Sequence, residues 1–111
     1  MSRQFVAVGI AVAMALSSTA ARAALDDAGA QDLIKKAGCG VCHTVDKKLV
    51  GPSYKDVALK RKAAPEAAAM LEKKVREGGK GEYGAIPMPP TPTSKISDPD
   101  LHELVQWVLT K

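Results

Sequence analysis

Apolar residues recur at helical spacing in three stretches of this chain, with no convincing strand-like alternation between them. Over 27–38, Ala30, Leu33, Ile34 and Ala37 fall at i, i+3, i+4 and i+7, with Asp26 or Asp27 to cap the start and Gly38 to end it. Residues 54–61 can form a short further helix. Over 65–77, Ala67, Leu71 and Val75 share one face. Pro65 and Glu66 suit its first turn, Lys73, Lys74 and Arg76 its last, and Gly78 its stop. Over 98–110, Ser97 caps, Pro99 sits in the first turn, and Leu101, Leu104, Val105 and Val108 make the buried stripe. Between the last two helices lies GGKGEYGAIPMPPTPTS, residues 78–94, whose four glycines and four prolines forbid helix or central strand. A loop of that length in a small domain is usually functional. The expectation is one all-α domain of about four helices over 24–111.

The chain opens on a different pattern. Twelve residues, 5–16, run almost wholly apolar after Arg3, and Ala21-Arg22-Ala23 follows with the small-x-small form of a cleavage site. This predicts a secretory signal peptide over 1–23, removed in the mature protein. The run is shorter than the ~20 residues that a membrane span needs, and no later segment qualifies. Export places the protein in the periplasm, where thiols can oxidise. Of the 16 basic and 12 acidic residues, Arg3 and Arg22 leave with the leader. The remaining charge is too balanced to mark a nucleic-acid binder. Lys47, Lys48, Lys55, Lys60 and Lys62 read as a solvated face, one able to steer an acidic partner. The core is the larger anomaly. With Phe5 in the leader, only Tyr54, Tyr83 and Trp107 supply aromatic bulk. A domain this small often needs a disulfide, metal or cofactor as staple, and something large and apolar is missing from the inventory.

The stretch CGVCH, residues 39–43, holds both cysteines and one of the two histidines. A disulfide between Cys39 and Cys42 would close a very small loop and stabilise little. Zinc needs three or four ligands, and adjacent Cys42 and His43 diverge. A thioredoxin-like pair follows a strand, whereas a helix precedes this one. Covalent c-type haem fits best. Cys39 and Cys42 stand about one helical turn apart, matching the two vinyl groups on one porphyrin edge, and His43 follows to reach the iron. A second axial ligand is then expected, and thioether sulfur is a common choice. Met70 sits mid-helix and reads as a core gap-filler. Met88 stands in IPMPP, where flanking prolines hold it in the loop. His102 reads as a surface residue.

In these residues the sequence resembles class I cytochrome c, and closely the short bacterial c-551 type. The resemblance rests on GCGVCHTVDKKLVGPSYKDVA at 38–58, GEYGAIPMPP at 81–90 and LVQWVL at 104–109, and spans nearly all of 27–110. It implies an all-α class I cytochrome c fold around one covalently bound haem c. Cys39 and Cys42 would form the thioethers, and His43 and Met88 the axial ligands. It also implies that the Pro52 carbonyl accepts from Nδ1–H of His43. Tyr83 stands where many relatives place a tryptophan that donates to a haem propionate. Thr91 stands where many place an asparagine on the methionine sulfur, and Lys74 where a basic propionate partner is common.

The expected function is a soluble periplasmic electron carrier, not an enzyme, cycling Fe(III)/Fe(II) between transiently docked redox partners. A monomer is expected, with no nucleic acid partner and no membrane span in the mature chain. The alternative is the small haem subunit of a periplasmic oxidoreductase heterodimer. An open-iron, ligand-binding or peroxidatic protein is a third class, against which Met88 argues.

Overall fold

A computed structural model describes residues 24–111. The leader expected over 1–23 lies outside the described residues. Helix α1 spans Asp27–Ala37, α2 Tyr54–Arg61, α3 Ala67–Glu77 and α4 Asp98–Leu109, with a 3₁₀ turn at Cys39–Val41. No strand forms among the described residues; His43 with Lys48 and Gly79 with Met88 make isolated antiparallel bridges. No helix among them is long and apolar enough to cross a membrane.

The helix ends follow from local chemistry. Asp26 caps α1 by accepting from the Gly29 N–H at 2.7 Å. Ser53 and Ser97 cap α2 and α4, accepting from the N–H of Asp56 and Asp100 at 3.1 and 3.3 Å. Helix α3 departs from expectation. It starts at Ala67, two residues later than the sequence predicts, because Glu66 takes a left-handed conformation with φ 59°. Pro65 therefore lies in the preceding turn and not in the helix.

Helices α1, α2 and α3 each pack on α4. Leu101, Leu104, Val105 and Val108 are buried on α4 as predicted, and Trp107 joins them. Ala30, Ile34 and Ala37 come from α1, and Tyr54 and Val57 from α2. Each buried aliphatic side chain contributes roughly 1.5–3 kcal/mol. Trp107 Nε1–H donates to Asp27 Oδ1 at 2.8 Å and joins α4 to α1. Met70, expected in the core, is 45% exposed on α3. Leu71 and Val75, not Met70, line the cavity from α3.

Candidate functional site

Gly38 ends α1 in a left-handed conformation and turns the chain straight into the 3₁₀ turn. Residues three apart in such a turn eclipse, so Cys39 and Cys42 come to one face. The Cys39 carbonyl accepts from the N–H groups of Cys42 and His43 at 3.1 and 3.0 Å. Both cysteines are half-buried free thiols. Burial pushes the Cys39 thiol pKa up, so the free thiol stays neutral. Among the described residues, no cluster of three or more His, Cys, Asp or Glu side chains forms a metal site.

His43 is fixed on two sides. Its Nδ1 lies 2.7 Å from the Pro52 carbonyl oxygen. A carbonyl only accepts, so Nδ1 carries the proton and the Nε2 lone pair is left free. The ring stacks on Tyr54 with centroids 5.3 Å apart. Tyr54 in turn meets Trp107 edge-on at 6.0 Å. Burial, with Cys39 nearby, pushes the Tyr54 pKa up, so this phenol stays neutral. Behind the imidazole, the Gly51 N–H donates to the Cys42 carbonyl at 2.8 Å.

The loop 78–94 supplies the facing wall. Gly79 and Met88 exchange backbone hydrogen bonds at 3.0 and 2.8 Å, closing its base. Beyond Met88, the Thr91 N–H donates to the Val75 carbonyl at 2.9 Å. Arg76 donates to the Thr91 carbonyl at 3.2 Å and to Asp98 Oδ1 at 2.6 Å. Helices α3 and α4 thus hold the chain just after the methionine. Thr91, read as a replacement for an asparagine, does not line the cavity between these walls. That cavity is about 340 Å³. Cys39, Cys42, His43, Pro52, Tyr83 and Met88 all line it, with Lys74 and the apolar faces of α3 and α4.

Tyr83 carries the most informative polar group. Its hydroxyl is buried and has no hydrogen-bond partner in the protein. Lys60 Nζ sits 4.5 Å from its ring centroid, and Arg61 pairs with the adjacent Glu82. His102 lies on the surface, as predicted, and its Nδ1 pairs with Glu72 on α3 at 2.7 Å. The lysines read as one solvated face are partly engaged, since Lys55 also pairs with Asp46 at 2.5 Å. Sequence reasoning missed the Tyr54 platform, the Gly51 approach and the Arg61–Glu82 pair. Only the first two left a local signal, because both flank the Pro52 already singled out.

An all-α shell, a Cys-x-x-Cys-His turn and a proline-flanked methionine lining one apolar cavity together define a class I haem-protein architecture. The chain belongs to the cytochrome c family: the family model described as Cytochrome c matches residues 21–111. It is 45% identical over 78 residues to cytochrome c2 of Rubrivivax gelatinosus, covering 70% of this chain and 92% of that one. It is also 45% identical over 80 residues to cytochrome c-551 of Azotobacter vinelandii, covering 72% and 94%. Among solved structures, wild-type Nitrosomonas europaea cytochrome c552 matches with TM-score 0.66 and 44% identity, covering 72% of this chain and 96% of that one. The fold is that of a small class I cytochrome c, as the sequence predicts. Membership brings covalently bound haem c, for which Cys39 and Cys42 stand in the required motif, and a role in electron transfer.

Proposed function

We propose that the mature protein is a soluble periplasmic electron carrier, exported by the leader over 1–23. It would hold one haem through Cys39 and Cys42 thioethers, with His43 and Met88 as axial ligands. The observation that carries this reading is that His43 and Met88, 45 residues apart in sequence, line the same apolar cavity as both cysteines. Two features support the fit of haem there. Apolar side chains of α3 and α4, which pack on each other, also line the cavity, and the buried Tyr83 hydroxyl is a donor with no acceptor in the protein. When bound, haem supplies a one-electron Fe(III)/Fe(II) couple.

The chain's own residues do the rest. Pro52 holds His43 in the tautomer that frees Nε2. The Gly79 bridge and flanking prolines fix the Met88 backbone. With His43 and Met88 both holding the iron, no position would be left for a substrate, and the protein would act as a carrier rather than as an enzyme. The apolar walls keep water from the site. Leu49, Val50 and Ile86 line the cavity and are each about half or more exposed. They provide a small apolar docking rim, and redox encounters of limited area are weak enough to exchange quickly. Neighbouring Lys48 and Lys80 line the same cavity and steer an acidic partner toward it.

The test is the absorption spectrum of protein made with haem-attachment machinery. The parent is expected to show the weak long-wavelength ferric band of iron–methionine ligation, and Met88→Ala to lose it while keeping covalent haem. A parent with haem but without the band refutes the ligand assignment. The same exposed rim favours one second reading, a haem subunit of a stable heterodimer. Size-exclusion chromatography of native periplasmic extract separates the two: a carrier elutes as a monomer, a subunit with its partner.

A further inference from the structure

Helix α2 ends on two cations, Lys60 and Arg61, and both reach across to the loop that carries Tyr83. Arg61 Nη2 pairs with Glu82 Oε1, with the arginine side chain only 16% exposed. Lys60 Nζ donates to the Glu82 carbonyl at 3.4 Å and lies over the Tyr83 ring. Inside this grip the loop tip closes on itself, with the Gly81 N–H donating to the Gly84 carbonyl at 3.0 Å. The loop base is held separately, by the Gly79–Met88 bridge. The tip, and with it Tyr83, is therefore tied to α2 by the side chains of two consecutive residues.

Stability alone is a weak reason for this arrangement, because ion pairs near a surface contribute little. Its position gives a better one. Glu82 directly precedes Tyr83, so the carboxylate held by Arg61 fixes the stretch of backbone that aims the phenol. The buried Tyr83 hydroxyl has no acceptor for its hydrogen in the protein.

We propose that Arg61 is a positioning residue: through Glu82 it sets Tyr83 in the cavity wall as a donor toward the bound haem, and so raises the potential of the loaded protein. The inference rests on the haem reading above. Its test uses holoprotein and keeps net charge constant. Arg61→Gln combined with Glu82→Gln removes the pair without changing the total charge, and is made with Tyr83 intact and with Tyr83→Phe. With Tyr83 intact, the reduced-to-oxidised ratio at a fixed mediator potential is expected to fall roughly threefold, the effect of weakening one ordinary hydrogen bond. In the Tyr83→Phe background the same pair of changes should leave the ratio nearly unmoved. Arg61→Lys, which keeps the charge beside Glu82, should retain most of the parent potential. Melting temperatures measured alongside separate packing from positioning. An unshifted ratio with a lowered melting temperature makes the clamp merely structural and overturns the proposal. So does an equal shift in both backgrounds, which would bypass Tyr83. A parent without covalent haem overturns the functional reading and this inference together, whereas a normal parent with unshifted variants overturns this inference alone.

Discussion

Gly51 leaves no room for a methyl group behind His43. A β-carbon there would stand 2.6 Å from His43 Cε1, 3.0 Å from Nδ1 and 3.2 Å from the Cys42 carbonyl oxygen. Gly78 is tighter still: its β-carbon would meet the Met88 carbonyl oxygen at 2.2 Å, on a residue whose φ of +68° already disfavours a side chain. The Gly51 clash falls on an imidazole held by Pro52 and the Gly78 clash on backbone, so relief requires the segments carrying His43 and Met88 to move. Gly51→Ala is expected to cost about 1–3 kcal/mol, the usual penalty of overpacking. Gly78→Ala adds the ~1–3 kcal/mol of a backbone region open essentially to glycine alone, and should also weaken the ferric methionine band. Denaturant titration of the two holoproteins, followed at that band, checks both. Equal midpoints for Gly78→Ala and parent would refute the clash. The chemistry-bearing residues were legible because thiols, imidazole and thioether are rare side chains with narrow uses. The glycines that shape space around them were not, because a glycine announces a turn, whereas the close approach it permits is visible only once distant backbone is in place.

At the scale of elements, hydrophobic period located α1, α3 and α4, and the short α2 forms over the residues expected, Tyr54–Arg61. The errors lie where period is silent. Pro65 and Glu66 look like a helix start, yet the left-handed Glu66 delays α3 to Ala67. Met70 sits at a plausible apolar position and is nonetheless exposed, because α3 turns Leu71 and Val75 toward the cavity instead. Long-range polar ties were equally hidden. The Asp27–Trp107 bond spans 80 residues, and nothing at residue 27 points to residue 107. That tie carries a pH dependence. The Trp107 hydrogen bond first, and then Lys111 bonding to the same carboxylate, hold the Asp27 pKa below its ordinary value. A carboxylate depressed on folding stabilises the folded state fully above its unfolded pKa of about 4, and the contribution is lost as pH falls through the folded pKa. Asp27→Asn keeps an oxygen for the indole but loses the charge. The parent should therefore melt higher than Asp27→Asn near neutral pH, and the gap should close on acidification below the carboxylate range. A gap constant from pH 7 down to pH 2 would refute the linkage.

Across the whole molecule, the helices share α4 as their common neighbour, and the space they leave on its other side is a cavity rather than a core. Ser53 is the largest side chain below 2% exposure, and Leu101, Leu104, Val105 and Val108 contact the core on one flank and line the cavity on the other. The shortage of aromatic bulk in the sequence is thus the same fact as the cavity in the structure, seen before and after folding. It implies that the fold depends on what fills that space. Without a filler, the apolar faces of α3 and α4 meet water and their share of the burial energy disappears. The remaining contacts are those of a domain already near the lower limit for independent stability. A ligand attached through thioethers cannot dissociate, so the dependence does not show on dilution and must be tested at the cysteines. Cys39→Ala with Cys42→Ala removes two small side chains that make no hydrogen bonds essential to the turn, since the Cys39 carbonyl, not its sulfur, accepts from Cys42 and His43. Loss of the thiols alone should cost little, whereas loss of the attached group should remove cooperative folding. Circular dichroism of this double variant is expected to show most of the parent's helical signal gone at 25 °C and no sharp thermal transition. A parent-like transition would mean that the four helices hold the cavity open unaided, and that haem is a guest of this fold rather than part of its core.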